Sequence, residues 1–232
     1  MPYRYVRKNT EFEKLCRDLR SARRIAVDTE FVAENSYLPQ LCLIQLSLDD
    51  QLLVVDPLAV DGVQRFWEAL VETDGEVILH AGRGELEFCY RAVRKFPRRI
   101  FDVQIAAGMT GHEYPAGYAN LVSKLLDEKA GRHETRTDWR RRPLTDRQIE
   151  YALDDVRYLP RMRDVLHLKL VEWNREAWLQ EEIDRRNAEI VKHYRGTDRW
   201  RISGNRSLSR RGLAIVRELW KWREERAARL NR

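Results

Sequence analysis

The stretch RRIAVDTEFV, Arg23 to Val32, constrains this chain more than any other. Ile25, Val27, Thr29 and Phe31 alternate with Ala26, Asp28 and Glu30, so a period of two puts both carboxylates on the same face of a sheet. Strand interiors are poor in Asp, and like charges two residues apart repel unless water, a hydrogen-bond donor or a cation compensates them. A divalent metal supplies that compensation if further acids converge from elsewhere in the chain. Alone, an Asp-x-Glu is a wet strand end.

The length of 232 residues suits one generous α/β domain, or one domain plus an appendage, and 43% hydrophobic residues place the chain among globular proteins. No run reaches the uninterrupted apolar length of a membrane span, and the N-terminus MPYRYVRKNT lacks the apolar core of a secretory signal, so a soluble, cytoplasmic protein without a membrane partner is expected. Cys16, Cys42 and Cys89 show no CxxC spacing and lie on apolar segments, which reads as reduced core thiols. A net charge of +6 suits a phosphate-rich partner. Its distribution is more informative: Arg dominates from Arg195 onward, with Trp200, Trp220 and Trp222 interleaved, while the acidic pair sits in an apolar strand. A basic exterior around a local acidic pocket suits a metal-dependent enzyme acting on a polyanion.

Along the chain, Phe12, Leu15, Cys16 and Leu19 predict a helix over Glu11 to Ala22. Gln40 to Leu48 and Gln51 to Asp56 read as strands joined by an Asp49-Asp50 turn, completing an antiparallel meander. A helix over Val63 to Glu72 precedes a strand at Glu76 to His80, a helix over Glu85 to Val93 and a short strand at Ile100 to Gln104 that leads into a helix. This alternation requires parallel crossovers, hence a mixed sheet, with Glu85 at the carboxyl end of a strand where open α/β sheets bind ligands. Ala119 to Leu126 is a short helix, and Asp127 to Arg142 a charge-rich loop. Thr145 and Gln148 spell a capping box that opens a helix through IEYALDDVRYL. On it Ile149, Ala152, Leu153 and Val156 cover the sheet, Tyr151 and Asp155 share another face, and Asp154 points elsewhere. Pro160 is expected to kink the helix, with helices continuing from Met162 to Trp178 and from Leu179 to Tyr194. Arg195 to Arg206 reads as a linker, and Ser209 to Leu230 as a basic helix with Leu213, Val216, Leu219 and Trp220 on one stripe.

Asp28, Glu30, Glu85, Tyr151 and Asp155 can thus meet at one sheet edge, and there the chain resembles the ribonuclease D branch of the DEDD 3′-5′ exonucleases, in the subgroup with a tyrosine in its third motif. The motifs that carry the resemblance are VDTEF, LHAGRGELEF and, most specific, YALDD within TDWRRRPLTDRQIEYALDDVRYL; together they cover roughly Arg23 to Leu166. It implies a ribonuclease H-like α/β fold, a mixed β-sheet flanked by helices, with a helical C-terminal extension. Residues 1–194 would form the catalytic domain, and 195–232 a linker and basic helix similar to the start of an HRDC domain. It also implies a metal-dependent exoribonuclease that releases nucleoside 5′-monophosphates from RNA 3′ ends, with tRNA precursors as partners and two Mg²⁺ or Mn²⁺ ions as cofactors.

In that scheme Asp28 bridges the ions, Glu30 and Asp155 complete the shell of one, Glu85 holds the other, and Tyr151 orients the attacking water. One residue departs from the family pattern, since Glu85 stands where Asp is usual and its extra methylene moves the carboxylate outward. Glu87, beside it, reads as a helix-dipole acid. Phe31, His80, Arg136, Trp139 and Arg140 are candidates for contact with the substrate, although His80 is equally a strand-end histidine satisfied locally, and Asp102 reads as structural. Two other readings stay open. The motifs do not read the sugar, so single-stranded DNA is a possible substrate, and an impaired second metal site would leave a nucleic-acid-binding scaffold.

Overall fold

The computed structural model describes residues 2–34, 36–131, 137–195, 200 and 207–232. The strands are β1 (Arg4–Val6), β2 (Arg24–Val32), β3 (Gln40–Leu48), β4 (Gln51–Val55), β5 (Glu76–Leu79) and β6 (Ile100–Asp102). They form one mixed sheet in the order β1-β4-β3-β2-β5-β6. β2, β3 and β4 are the expected antiparallel meander, and β5 and β6 join by parallel crossovers. The Asp49-Asp50 turn is left-handed at both positions (φ 44° and 70°), the conformation whose twist matches a two-residue hairpin.

The helices are α1 (Asn9–Ser21), α2 (Gln64–Glu72), α3 (Arg83–Val93), α4 (Val103–Met109), α5 (Tyr118–Leu126), α6 (Asp146–Arg157), α7 (Leu159–Glu172), α8 (Glu176–Arg195) and α9 (Arg210–Leu230). Phe12, Leu15, Cys16 and Leu19 bury the apolar stripe of α1, as their spacing predicts. α6 lies across β2, β3 and β4, and α7 across β2 and β5, so the face of β2 that carries its acids lies beneath these two helices and its acids are half-buried. All three cysteines are free and buried. No helix among the described residues is long and apolar enough to cross a membrane.

Four local features differ from the sequence expectation. β1 pairs in parallel with β4 at the sheet edge. It has only three residues and begins with Arg, too little for a period-two signal. Pro160 sits in the first turn of α7, where its missing N–H costs nothing, so α6 and α7 are separate helices rather than one kinked helix. The break placed after Trp178 falls instead at Trp173–Arg175, where Asn174 takes φ 54°. On α9, Leu213, Val216 and Trp220 are half-buried, but Leu219 turns outward with Ile215 and Trp222. That helix meets the loop after β2: the Tyr37 hydroxyl donates to Glu224 (2.8 Å), and the Leu38 N–H donates to Asn231 (3.0 Å). Most of the expected linker lies outside the described residues.

Candidate active site

β2 carries Asp28 and Glu30 toward α6, and α6 returns Tyr151 and Asp155 toward β2. One carboxylate oxygen from each of Asp28, Glu30 and Asp155 lies within 4.8 Å of the others. The capping box at Thr145 and Gln148 is formed as read, so the start of α6, and with it the azimuth of Tyr151 and Asp155, is set by the local sequence. Asp154 faces away, accepts from the Gly131 N–H (2.9 Å) and pairs with Arg157 (2.6 Å).

Asp28 lies opposite Gln45 in the ladder, and the Gln45 amide donates to its Oδ2 at 2.9 Å. Gln45 is fully buried in a mostly apolar strand. Its amide in QLCLIQLSL, directly opposite Asp28, is a partner that the sequence pattern does not announce. The Tyr151 hydroxyl hydrogen-bonds Asp155 one turn along the helix.

Glu85 does not join the three-carboxylate cluster. It is buried on the third residue of α3, and the Thr29 hydroxyl donates to its Oε1 at 2.5 Å. Thr29 is an odd-numbered residue of β2, so its side chain leaves the strand on the face opposite Asp28 and Glu30. The longer glutamate side chain is therefore tethered beside the trio, close enough for mutual repulsion with Asp28 and Glu30. The turn that launches α3 is fixed by Asp102. Its buried carboxylate accepts from the N–H groups of Ala81 (3.3 Å) and Gly82 (3.0 Å) while capping α4 through Gln104 (2.9 Å) and Ile105 (3.1 Å). Its structural role was legible, but the link to Glu85 was not. Glu87 pairs with Arg83 at the surface.

Burial is the main reason that every acid of the group is hard to ionise. Asp28 is pushed up to about 7 by desolvation and then by Asp155, against hydrogen bonds from the Thr29 N–H and Gln45. Glu30 rises to about 9 through burial and then the charges of Asp28, Asp155 and Glu85. Glu85 rises to about 8 through burial and then Asp28, and Asp155 to about 7 through burial, opposed by Tyr151. Tyr151 is raised as well, by burial and then by Asp155, which makes its hydroxyl a hydrogen-bonding group rather than a base at neutral pH. Four carboxylates, Glu85 buried and the other three half-buried, have no paired Lys or Arg among the described residues and fit a hard divalent cation; the donors are all oxygen, the set that suits Mg²⁺ or Mn²⁺.

Two openings reach this cluster. A cavity of about 200 Å³ is lined by Asp28, His80, Tyr118, Tyr151, Asp155 and Leu159. A groove of about 780 Å³ runs past Glu30, Phe31, Glu34, Trp139, Arg140 and Tyr151. The ladder slips by one residue between Glu30 and Phe31, and this bulge leaves Phe31 41% exposed at the groove edge against Phe88 rather than inside the core. Trp139 is only 5% exposed and packs on Tyr151, so it is a wall more than an open stacking platform. Arg140 is bound to Asp138 (2.8 Å), which offsets its charge. His80 lines the smaller cavity but contacts the Ala116 carbonyl at 3.0 Å, the local satisfaction expected of it. Arg136 lies outside the described residues.

A sheet of this order, with acids from central β2 meeting those of α6 on one face, defines a nuclease-type α/β fold, and comparison gives the family. Residues 3–171 match the family model described as 3′-5′ exonuclease, and the chain belongs to that family. Within it, the chain is similar to ribonuclease D. It is 36% identical to ribonuclease D of Desulfotalea psychrophila over 90% of its own length and 56% of that protein, and 41% identical to that of Xanthomonas oryzae pv. oryzae over 78% and 50%. The crystal structure of Escherichia coli RNase D, an exoribonuclease involved in structured RNA processing, superposes with a TM-score of 0.92 at 31% identity, covering 100% of this chain and 62% of that one. The chain thus spans about half the length of the curated relatives it matches.

Proposed function

We propose that this chain is a metal-dependent 3′-5′ exoribonuclease that hydrolyses phosphodiesters at RNA 3′ ends and releases nucleoside 5′-monophosphates. The observation that carries the reading is the meeting of Asp28, Glu30 and Asp155 within 4.8 Å, from two elements far apart in sequence, beside a groove. Asp28, Glu30 and Asp155 would hold one Mg²⁺ or Mn²⁺ ion, and Glu85 with Asp28 a second. Bound there, the ions supply charge neutralisation at the phosphate and at the departing oxygen and lower the pKa of water. The protein does the remainder. Tyr151, fixed by Asp155 and flanked by Trp139, orients the attacking water. Gln45 holds Asp28 in place, and Phe31 and Trp139 border the terminal nucleotide. Similarity to ribonuclease D supports RNA as substrate, and we propose tRNA precursors as the natural one. We further propose residues 1–194 as the catalytic domain and 195–232 as a linker and basic helix leading into an HRDC-like region.

The test is a 5′-labelled RNA with a single-stranded 3′ tail, incubated with Mn²⁺, with EDTA, and with Asp28→Ala protein. A one-nucleotide ladder that needs both metal and Asp28 is expected; no shortening in Mn²⁺ overturns the reading. The separation of Glu85 from the trio favours a second reading, a scaffold that binds RNA in a salt-sensitive way without turnover. A matched DNA strand in the same assay reports on the sugar.

A further inference from the structure

Arg142 closes the loop that precedes α6, and its guanidinium uses all five of its N–H donors. Nε donates to Asp56 Oδ2 (2.5 Å), and Nη2 to Asp56 Oδ1 (2.7 Å) and to the Cys42 carbonyl (2.7 Å). Nη1 donates to the carbonyls of Trp139 (2.8 Å) and Arg141 (2.9 Å). The Asp56 side chain is 3% exposed and that of Arg142 24%, so the fork is largely screened from water and both oxygens of the carboxylate are engaged. Asp56 also accepts from the Tyr5 hydroxyl (3.2 Å). One end of this network is thus anchored in the sheet through the residue after β4 and the main chain of β3. The other end grips the main chain of the loop at Trp139, whose indole lies 6.1 Å from the Tyr151 ring at 33°. α6 sets where the backbone of Tyr151 is, while its outer ring face is bounded by Trp139.

We propose that Arg142 is a positioning residue for Tyr151: tied to Asp56 and Cys42, it holds Trp139 against the tyrosine ring and so fixes the hydroxyl that orients water. This rests on the hydrolytic role assigned to Tyr151 above. A simple staple between loop and sheet would need only the Asp56 pair. The two bonds to loop carbonyls specify the loop's path, and lysine, with a compact ammonium and three donors, cannot reproduce them.

The experiment is a double-mutant cycle with a spectroscopic arm. Arg142→Lys and, as a milder variant that leaves the guanidinium in place, Asp56→Asn are each made in the wild-type and Tyr151→Phe backgrounds. kcat is measured on a 3′-tailed RNA with Mn²⁺, and ring-labelled ¹³C-tyrosine spectra are recorded, the Tyr151 signal being the one absent from Tyr151→Phe. The expected result is a loss in kcat of about tenfold for Arg142→Lys and a smaller one for Asp56→Asn, both shrinking to less than twofold without the Tyr151 hydroxyl. The Tyr151 signal should move in both variants, and that of Tyr90 should not. Equal losses in both backgrounds, or an unmoved Tyr151 signal, overturn the proposal. If the wild-type protein does not shorten RNA at all, the proposed function fails and the Tyr151 signal alone decides the positioning role; if Arg142→Lys does not fold, Asp56→Asn decides it.

Discussion

Replacing Asp28 by Asn should make the metal-free protein more stable at alkaline pH while removing its stabilisation by Mn²⁺. Asp28 is buried beside Asp155, and folding lifts its pKa from 3.8 to about 7. That difference of about 3 units corresponds to roughly 4 kcal/mol of destabilisation once the group is ionised in the folded state. The sign follows from proton binding. Between pH 4 and 7 the folded protein holds a proton that the unfolded chain has lost, so stability falls as pH rises through that window and levels off above it. Asparagine keeps an acceptor for the Gln45 amide, which donates at 2.9 Å, and its NH₂ faces the Glu30 and Asp155 carboxylates in a geometry set for a carboxylate, a cost of up to about 2 kcal/mol. The net gain of roughly 2 kcal/mol corresponds to about 4–8 °C in Tm for a chain of this size. Calorimetry in EDTA should show Asp28→Asn melting higher than wild type at pH 8 and no higher at pH 4. Mn²⁺ at saturating concentration should raise Tm for wild type only. A variant that melts lower than wild type in EDTA at pH 8, or that gains as much from Mn²⁺, would refute the reasoning that repulsion among buried carboxylates is what the cation relieves.

Tyr151→Phe should lower kcat on 3′-tailed RNA about 100-fold with KM little changed, because the ring and its packing on Trp139 stay while the hydroxyl is lost; an unchanged kcat would remove Tyr151 from the mechanism. Glu85→Asp withdraws the carboxylate from the Thr29 hydroxyl, now 2.5 Å away, and should reduce turnover roughly tenfold or more. A large gain in rate would instead mean that glutamate impairs the site and favour the scaffold reading. Asp102→Asn puts an NH₂ against at least the Gly82 N–H, the sole donor to Oδ2, while Oδ1 serves Ala81, Gln104 and Ile105, and should cost on the order of 2–3 kcal/mol in urea unfolding; a loss below about 0.5 kcal/mol would show that the carboxylate does not pin the turn before α3.

The parts of this fold that were legible in the sequence are those written in short-range periods. The alternation of β2 put Asp28 and Glu30 on one face, Thr145 and Gln148 announced the start of α6, and the i, i+4 spacing of Tyr151 and Asp155 put them together. What escaped depends on contacts across the chain. β1 exists because β4 offers it an edge. The bulge after Glu30, which brings Phe31 out to the groove, arises from the pairing of two strands and has no signature in either. Glu85 was correctly placed at the start of a helix, yet its distance from the other acids depends on Thr29 leaving the opposite face of β2. Trp139 reads as a substrate contact in a charge-rich loop, whereas Arg142 ties that loop so that the indole is buried against Tyr151. A left-handed Asn174 ends the segment after α7, and no glycine or proline marks the position.

Anomalous diffraction from crystals grown with Mn²⁺ and a nucleoside 5′-monophosphate tests the central claim most directly. One Mn²⁺ peak bound by Asp28, Glu30 and Asp155 and a second on the Glu85 side of Asp28 are expected, with the nucleotide in the groove beside Phe31 and Trp139. Mn²⁺ absent from those carboxylates, or bound only elsewhere on the surface, would contradict that claim.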